Sequence, residues 1–405
     1  MKILGFEIKR AVPYVDATKG FMSTMFGNVG RTVVTEKTVM GLSAYWAGVR
    51  RISESMALLP IDVLEKRGSV RMEVNHSTEY LLNKEANYKT TAFDFTQILV
   101  TSAINHGNGL AIIERDGRSN PTALLNVPTS MMKPKIYDDE LYWDMKLDDT
   151  KVMQFRDEDV INLRGFGTDE VLGLSAIKAH AQNLGLSLAA QDYGVDFYNK
   201  GTRIDGYIEY EGKLDVDTKK RIKEAWNDNY GPNGLGGTAI LDNGSKYTRL
   251  GMPPEDAQFI ETRKFQKNEI ATILGIPPHM INDLEHATFS NIEHQGIEFV
   301  TYGLGSWIEK LEQEYGRKLL RESEKKSTYF KHNVNRLLRT DMKAKAEHYR
   351  LMSDIGVYSI NDIRALEDLN PIENGDERLV QLNRIPLEQI KNYYARENNN
   401  SPSRD

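Results

Sequence analysis

Apolar positions recur at three- and four-residue intervals in several blocks of this chain. The longest block is Ile297, Val300, Leu304, Ile308, Leu311, Tyr315 and Leu319. Ser290 and Glu293 stand before it as a capping-box pair. Together they predict one helix of about 30 residues, roughly 45 Å long at 1.5 Å per residue. Ahead of it, Pro253-Pro254-Glu255-Asp256 has the Pro and acidic residues of a helix start. Phe259, Ile260, Ile270, Ile273 and Leu274 follow, and Gly275 with Pro277-Pro278 marks the stop. The run from Ile276 to Phe289 shows no periodicity. A loop of that length between two long helices predicts a working segment held on a rigid frame.

The rest of the pattern predicts an α+β chain. Residues 1–35 are loosely patterned around Gly20, Gly27 and Gly30, which predicts a flexible arm. Val39, Leu42, Trp46, Val49, Ile52, Met56 and Leu59 predict a helix ended by Pro60. Ile61, Val63 and Glu65 alternate as a strand that turns at Arg67-Gly68. A second helix is predicted over 91–105, broken by Gly107-Asn108-Gly109, then a strand from Leu110 and a hairpin at Asp116-Gly117. Short strands continue to residue 163, so 36–170 reads as one α+β domain. Ile177, Ala181, Leu184, Leu188 and Val195 predict a helix from Ser175 to Lys200. Between it and Pro253 lies a small insert: strands at 204–210 and 238–241 and a helix at 217–230 with Ile222 and Trp226 inward. A strand at 329–334, helices near 341–355 and 359–369, and a disordered Asn-rich tail complete the reading.

Composition narrows the function. The 405 residues carry a net charge of −6 and no cysteine, and mean hydropathy is −0.51. Disulfides, thiolate zinc sites and Cys nucleophiles are excluded. No apolar run is long enough for a bilayer, and MKILGFEIKR lacks the apolar region and cleavage site of a signal peptide. The acidic balance argues against a grip on nucleic acid through bulk positive charge.

Candidate chemistry is sparse. GPNGLGGTAI, Gly231 to Ile240, lacks the Lys of a P-loop and leads into a predicted strand. His286 and His294 are eight apart, about 12 Å on one helix and too far to share a metal. Asp138-Asp139-Glu140 and Asp157-Glu158-Asp159 have the charge for Mg²⁺ but stand at turns, where Asp serves local hydrogen bonding. No catalytic residue, metal site or cofactor site is assigned. Arg263, Lys264 and Lys267 are either a solvated face, interleaved with Glu261 and Glu269, or phosphate contacts.

Three stretches carry a resemblance: GLSAYWAGVRRISESMALLPIDVLE, LGLSAIKAHAQNLGLSLAAQDYGVDFYNKGTR, and PPEDAQFIETRKFQKNEIATILGIPPHMINDLEHATFSNIEHQGIEFV. They resemble the portal proteins (head-to-tail connectors) of tailed bacteriophages and prophages over about residues 36–385. The resemblance implies a non-enzymatic homo-oligomeric ring of about twelve subunits at one capsid vertex. It implies a flexible arm at 1–35, a wing at 36–174, stem helices at 175–201 and 255–275 with a clip at 202–254 between them, and a tunnel loop at 276–289. It further implies a helix and strand completing the wing at 290–340, a helical crown at 341–392 and a disordered tail at 393–405.

By the same resemblance the tunnel loop presents Pro277, Pro278, His279, Met280, Asn282, Leu284 and His286 to duplex DNA, with Arg263, Lys264 and Lys267 as stem candidates facing phosphate. The implied partners are further copies of the chain (a dodecamer), double-stranded DNA, the terminase large subunit, a head-tail adaptor, and major capsid and scaffold proteins, with no membrane. The implied location is the virion, with the host cytoplasm during assembly. A tail adaptor ring and a metal-dependent nuclease built on the acidic clusters are the competing readings.

Overall fold

The structure, a computed structural model, describes residues 33–148, 151–199, 215–230, 254–283, 295–334, 342–367 and 369–378, with short strands at 2–3, 6–7, 12–13, 206–209 and 246–249. It divides into two units, Met1–Asn333 and Val334–Asp405.

The first unit opens with three two-residue strands, β1 (Lys2–Ile3), β2 (Phe6–Glu7) and β3 (Val12–Pro13). Helix α1 (Glu36–Val39) is held by a reciprocal cap between Thr35 and Thr38, and α2 (Ser43–Ala57) follows. The buried stripe is Val39, Leu42, Tyr45, Val49, Ile52, Met56 and Leu59, whereas Trp46 is 46% exposed. The expected stripe is therefore corrected at one position. Tyr45 turns inward, where its hydroxyl donates to Asn105 at 3.1 Å, and Trp46 lies outside under the Arg50 guanidinium at 5.1 Å. Arg50 sits one turn away, so its guanidinium covers one face of the exposed indole.

Strands β4 (Ile61–Arg67) and β5 (Val70–Glu73) form a hairpin. Next come α3 (Ser77–Asn83), the small β6 (Glu85–Asn87) and β7 (Thr90–Thr91), and α4 (Ala92–His106). Strand β8 (Asn108–Arg115) pairs with β9 (Pro121–Val127). Asp116 closes their turn by accepting from Arg118 and Asn120. Strands β10 (Met132–Tyr137), β11 (Glu140–Lys146) and β12 (Val152–Arg156) make a meander, and β13 (Val160–Arg164) returns to β8. Two sheets result, ordered β12-β11-β10-β3 and β13-β8-β9. Leu110, Ile112, Val127, Met132, Trp143 and Val160 fill the space between them.

The expected helix from Ser175 is split into α5 (Ala176–Ala179) and α6 (Ala181–Asn199), with His180 outside helical geometry. In the insert, β14 (Gly206–Glu209) pairs antiparallel with β15 (Lys246–Arg249), and α7 (Val216–Tyr230) lies between them in sequence. The expected strand at 238–241 lies outside the described residues. Ile222, expected inward, is 38% exposed. Helix α8 (Pro254–Leu274) matches the pattern closely.

Helix α9 (Gly305–Leu319) follows a π-helical stretch at Phe299–Leu304. Leu304, Ile308, Leu311, Tyr315 and Leu319 are buried as expected, but Ile297 is exposed and Phe299 is buried in its place. The wider π turn shifts the helical phase, so the apolar stripe before it no longer lines up with the stripe after it. The expected capping box at Ser290 and Glu293 lies outside the described residues. Strand β16 (Thr328–His332) completes the sheet β16-β4-β5.

The second unit contains α10 (Met342–Asp354) and α11 (Ile360–Leu366). Ser359 and Asp362 cap α11 reciprocally, and the Tyr349 hydroxyl donates to Glu367 at 2.6 Å.

Candidate functional site

The residues singled out from the sequence sit on α8 and the segment that leaves it, and α8 packs against both α6 and α2. Helices α6 and α8 run antiparallel along a polar seam. Asn183 donates to Glu269 at 2.7 Å, Ser187 donates to Gln266 at 2.7 Å, and Tyr193 meets Phe259 with ring centroids 5.4 Å apart. Gly194 keeps that end close, because a Cβ there would stand 3.3 Å from the Phe259 ring. Ser187 and Gln266 are both buried. A buried hydroxyl and amide that satisfy each other fix the axial register of two helices, since sliding would strand both.

The outer faces of the pair are unusually apolar. Leu186, Tyr193, Val195, Ile260 and Phe265 are exposed, Phe265 at 61%. Apolar residues therefore lie around both helices instead of in one stripe, the pattern of helices with neighbours on more than one side.

Helix α8 stops where expected. Gly275 has φ +65°, a left-handed cap open to Gly at no steric cost. Beyond it the structure corrects the sequence reading. Pro278–Ile281 forms a 3-10 turn, and Ile276 and Ile281 are buried. The side chains of Leu274 and Ile276 seat against Gly48 on α2, where a Cβ would collide with both. The loop expected over 276–289 thus begins as a built turn. Pro277, His279 and Met280 are half-buried, and Pro278 and Asn282 are exposed. Leu284 and His286 lie outside the described residues. His279 Nδ1 is 2.6 Å from Gln295 Oε1, and Asn282 ends the turn in the left-handed region at φ 61°.

The cations separate. Arg263 and Lys264 are exposed, whereas Lys267 is half-buried and its ammonium donates to the Asn282 carbonyl at 2.8 Å. Two residues beyond Lys267 on α8, Glu269 lies near His180 at the α5–α6 break. Burial pushes the His180 pKa down, and Glu269 opposes that only in part.

The Asp157-Glu158-Asp159 cluster is occupied by protein groups. Asp157 accepts from Trp143 Nε1 at 3.1 Å and is paired with Lys318 and Arg317. Asp159 takes Arg115 at 2.7 Å. The Lys318 side chain is 2% exposed. Burial lowers its pKa, while Glu314 and Asp157 support its charge. Asp138 and Asp139 have φ 52° and 66° and form the two-residue turn between Tyr137 and Glu140, a type I′ geometry. Among the described residues no group of three or more His, Asp or Glu is placed to hold a metal ion, and no helix is long and apolar enough to cross a membrane.

The described architecture is an antiparallel helix pair on a sheet-rich body, with Asp157 and Asp159 engaged by Lys318, Arg317 and Arg115. The profile described as "Phage portal protein" matches residues 43–368, and the chain belongs to that family. It is 31% identical over 367 residues to the "Probable portal protein" of Streptomyces phage phiC31, covering 87% of this chain and 79% of that one. It is 26% identical over 370 residues to the "Portal protein" of Enterobacteria phage HK97, covering 90% and 87%. A chain in the virion of a native gene transfer agent particle shares the fold, with TM-score 0.58, 20% identity and coverage of 88% and 100%.

Proposed function

We propose that this chain is one subunit of a ring in which α6 and α8 stand side by side as stem helices around a bore for double-stranded DNA. The observation that carries this reading is the exposed apolar set Leu186, Tyr193, Val195, Ile260 and Phe265 on helices that already pair with each other through Asn183–Glu269 and Ser187–Gln266. Neighbouring copies in a closed ring would cover it, because each subunit offers one flank to the next and receives another in return. The insert at 202–254 is the clip in this scheme, the body at 36–174 with 290–340 is the wing, and 341–392 is the crown. The terminase large subunit and then a head-tail adaptor dock on the clip, with capsid and scaffold proteins around the wing.

The charge balance suits a conduit. A strongly basic bore would release many counterions on contact and hold the duplex. One exposed Arg263 and one Lys264 per subunit become sparse rings by symmetry. Lys267 fits less well, since its ammonium is already bound to the Asn282 carbonyl. Pro278 and Asn282 are the exposed members of the turn, and in this reading they are the described tunnel-loop residues that meet DNA by shape.

The test is deletion of residues 284–287, which spares the buried Ile281. Rings should assemble, and heads built with them should package or retain less DNA. Normal DNA-filled heads would count against the loop's role, and unassembled subunits would count against its placement.

A further inference from the structure

Helical chain runs from Gln295 into α9, and the π stretch Phe299–Leu304 lies in between. Phe299 and Leu304, five apart, are both buried. Gln295, one turn before Phe299, is half-buried, while Ile297 and Glu298 are exposed. This is the inner face of a helix that carries one extra residue in one of its turns.

The sequence supports a second phase. Counting back from Leu304 in steps of four and three gives Val300 and Ile297, so an unbroken α-helix would bury those two and turn Phe299 outward. Apolar side chains are therefore present for either inner face. The phenyl ring decides in favour of the observed one. Phe299 packs over the bare Cα of Gly303, where a Cβ would stand 2.8 Å from the ring and 3.2 Å from the Gly275 carbonyl oxygen. One register gains a buried aromatic ring, and the other keeps ordinary helical hydrogen bonds.

The phase also decides a contact at the end of α8. In the observed register Gln295 Oε1 is 2.6 Å from His279 Nδ1, on the turn Pro278–Ile281. Taking the extra residue out of the π turn rotates the residues before it by about 100° and shifts them by about 1.5 Å. Gln295 then leaves His279.

We propose that residues 295–304 are a two-register element. One register is the π form, with Phe299 inside and Gln295 on His279; the other is an unbroken α-helix with Ile297 and Val300 inside and that contact released. The element couples the turn after α8 to α9 in one discrete step, as bistable packing does. It is a property of a single chain and does not depend on the ring.

The chain has no cysteine, so Ile297→Cys in the full-length protein gives a sole thiol whose modification rate by iodoacetamide reports the phase. A cysteine is small and apolar enough for either side of the helix. Alone, it should react within about threefold of its rate in denatured protein, as an exposed position does. Adding Phe299→Ala removes the ring that holds the observed register, and adding Gly303→Ala instead fills its seat. Each should slow the thiol about tenfold or more, because position 297 turns inward and reacts only after local opening. Fraying or unfolding speeds the reaction, so a damaged helix cannot imitate that result. Deleting the exposed Thr301 from the Phe299→Ala protein leaves position 297 outward on an unbroken α-helix, and the fast rate should return. A thiol that stays fast with Phe299→Ala or with Gly303→Ala, is already slow without them, or stays slow after the deletion would overturn the proposal.

Discussion

The ammonium of Lys267 donates to the backbone carbonyl of Asn282 at 2.8 Å, so α8 holds the end of the turn that follows it. Asn282 is in the left-handed region and ends the 3-10 turn there. Lys267→Met keeps the aliphatic stem and removes the donor. Amide exchange over 278–283 should accelerate, and stability should fall by about 0.5–1.5 kcal/mol, the net worth of one hydrogen bond. Unchanged exchange would return Lys267 to the set of phosphate-facing candidates.

Gly194 is expected to be intolerant of bulk. Its missing side chain lets α6 approach the Phe259 ring, and a leucine there must push the helices apart or displace the ring. Gly194→Leu should cost about 1–3 kcal/mol, as overpacking does, while Gly194→Ala should cost less. Thermal unfolding of both variants measures the difference.

Lys318 depends on Asp157. With its side chain 2% exposed, the lysine keeps its charge inside the protein by pairing with that carboxylate, backed by Glu314. Asp157→Asn should destabilise the protein by about 3 kcal/mol, because a buried charge loses its partner. Lys318→Met in the same chain should recover much of the loss. Denaturant melts of the single and double variants decide whether the two residues are coupled.

Glu312 sets part of the acid limb of stability. Burial pushes its carboxyl up, but hydrogen bonds from the His332 ring and backbone and from Lys331 outweigh that and hold its pKa below the ordinary carboxylate value. A depressed carboxyl contributes stability that is present above the unfolded pKa, about 4.3 for glutamate, and lost as pH falls through the folded value. Unfolding midpoints should therefore drop as pH falls below about 4.3, and Glu312→Gln should flatten that dependence.

Much of the fold was legible because burial and periodicity coincide in its helices. The ends of α2, α4, α8 and β16 lie within a few residues of the pattern, and the Gly275 stop is where a left-handed cap was expected. What periodicity could not show came from tertiary choices. Tyr45 and Trp46 are adjacent aromatics, and only the Asn105 partner selects the first for the core. The π stretch at Phe299–Leu304 breaks a pattern that looks continuous on an ideal helix. The turn at 278–281 was hidden because its anchors, Ile276 and Ile281, are too few to make a period. The Ser187–Gln266 seam was missed because polar residues read as surface, although Ser187 and Gly194 stand seven apart, a spacing that keeps one helix face.

The central claim is that copies of this chain close into an annulus walled by α6 and α8. Electron microscopy of the purified protein, carried to a resolution that traces helices, tests it most directly. The account predicts rings with an open centre wide enough for a DNA duplex, with α6 and α8 nearest the bore and Phe265, Tyr193 and Leu186 covered by adjacent copies. Particles that remain single chains at every salt and protein concentration, or rings that leave those three side chains in solvent and line the bore with the sheets, would contradict it.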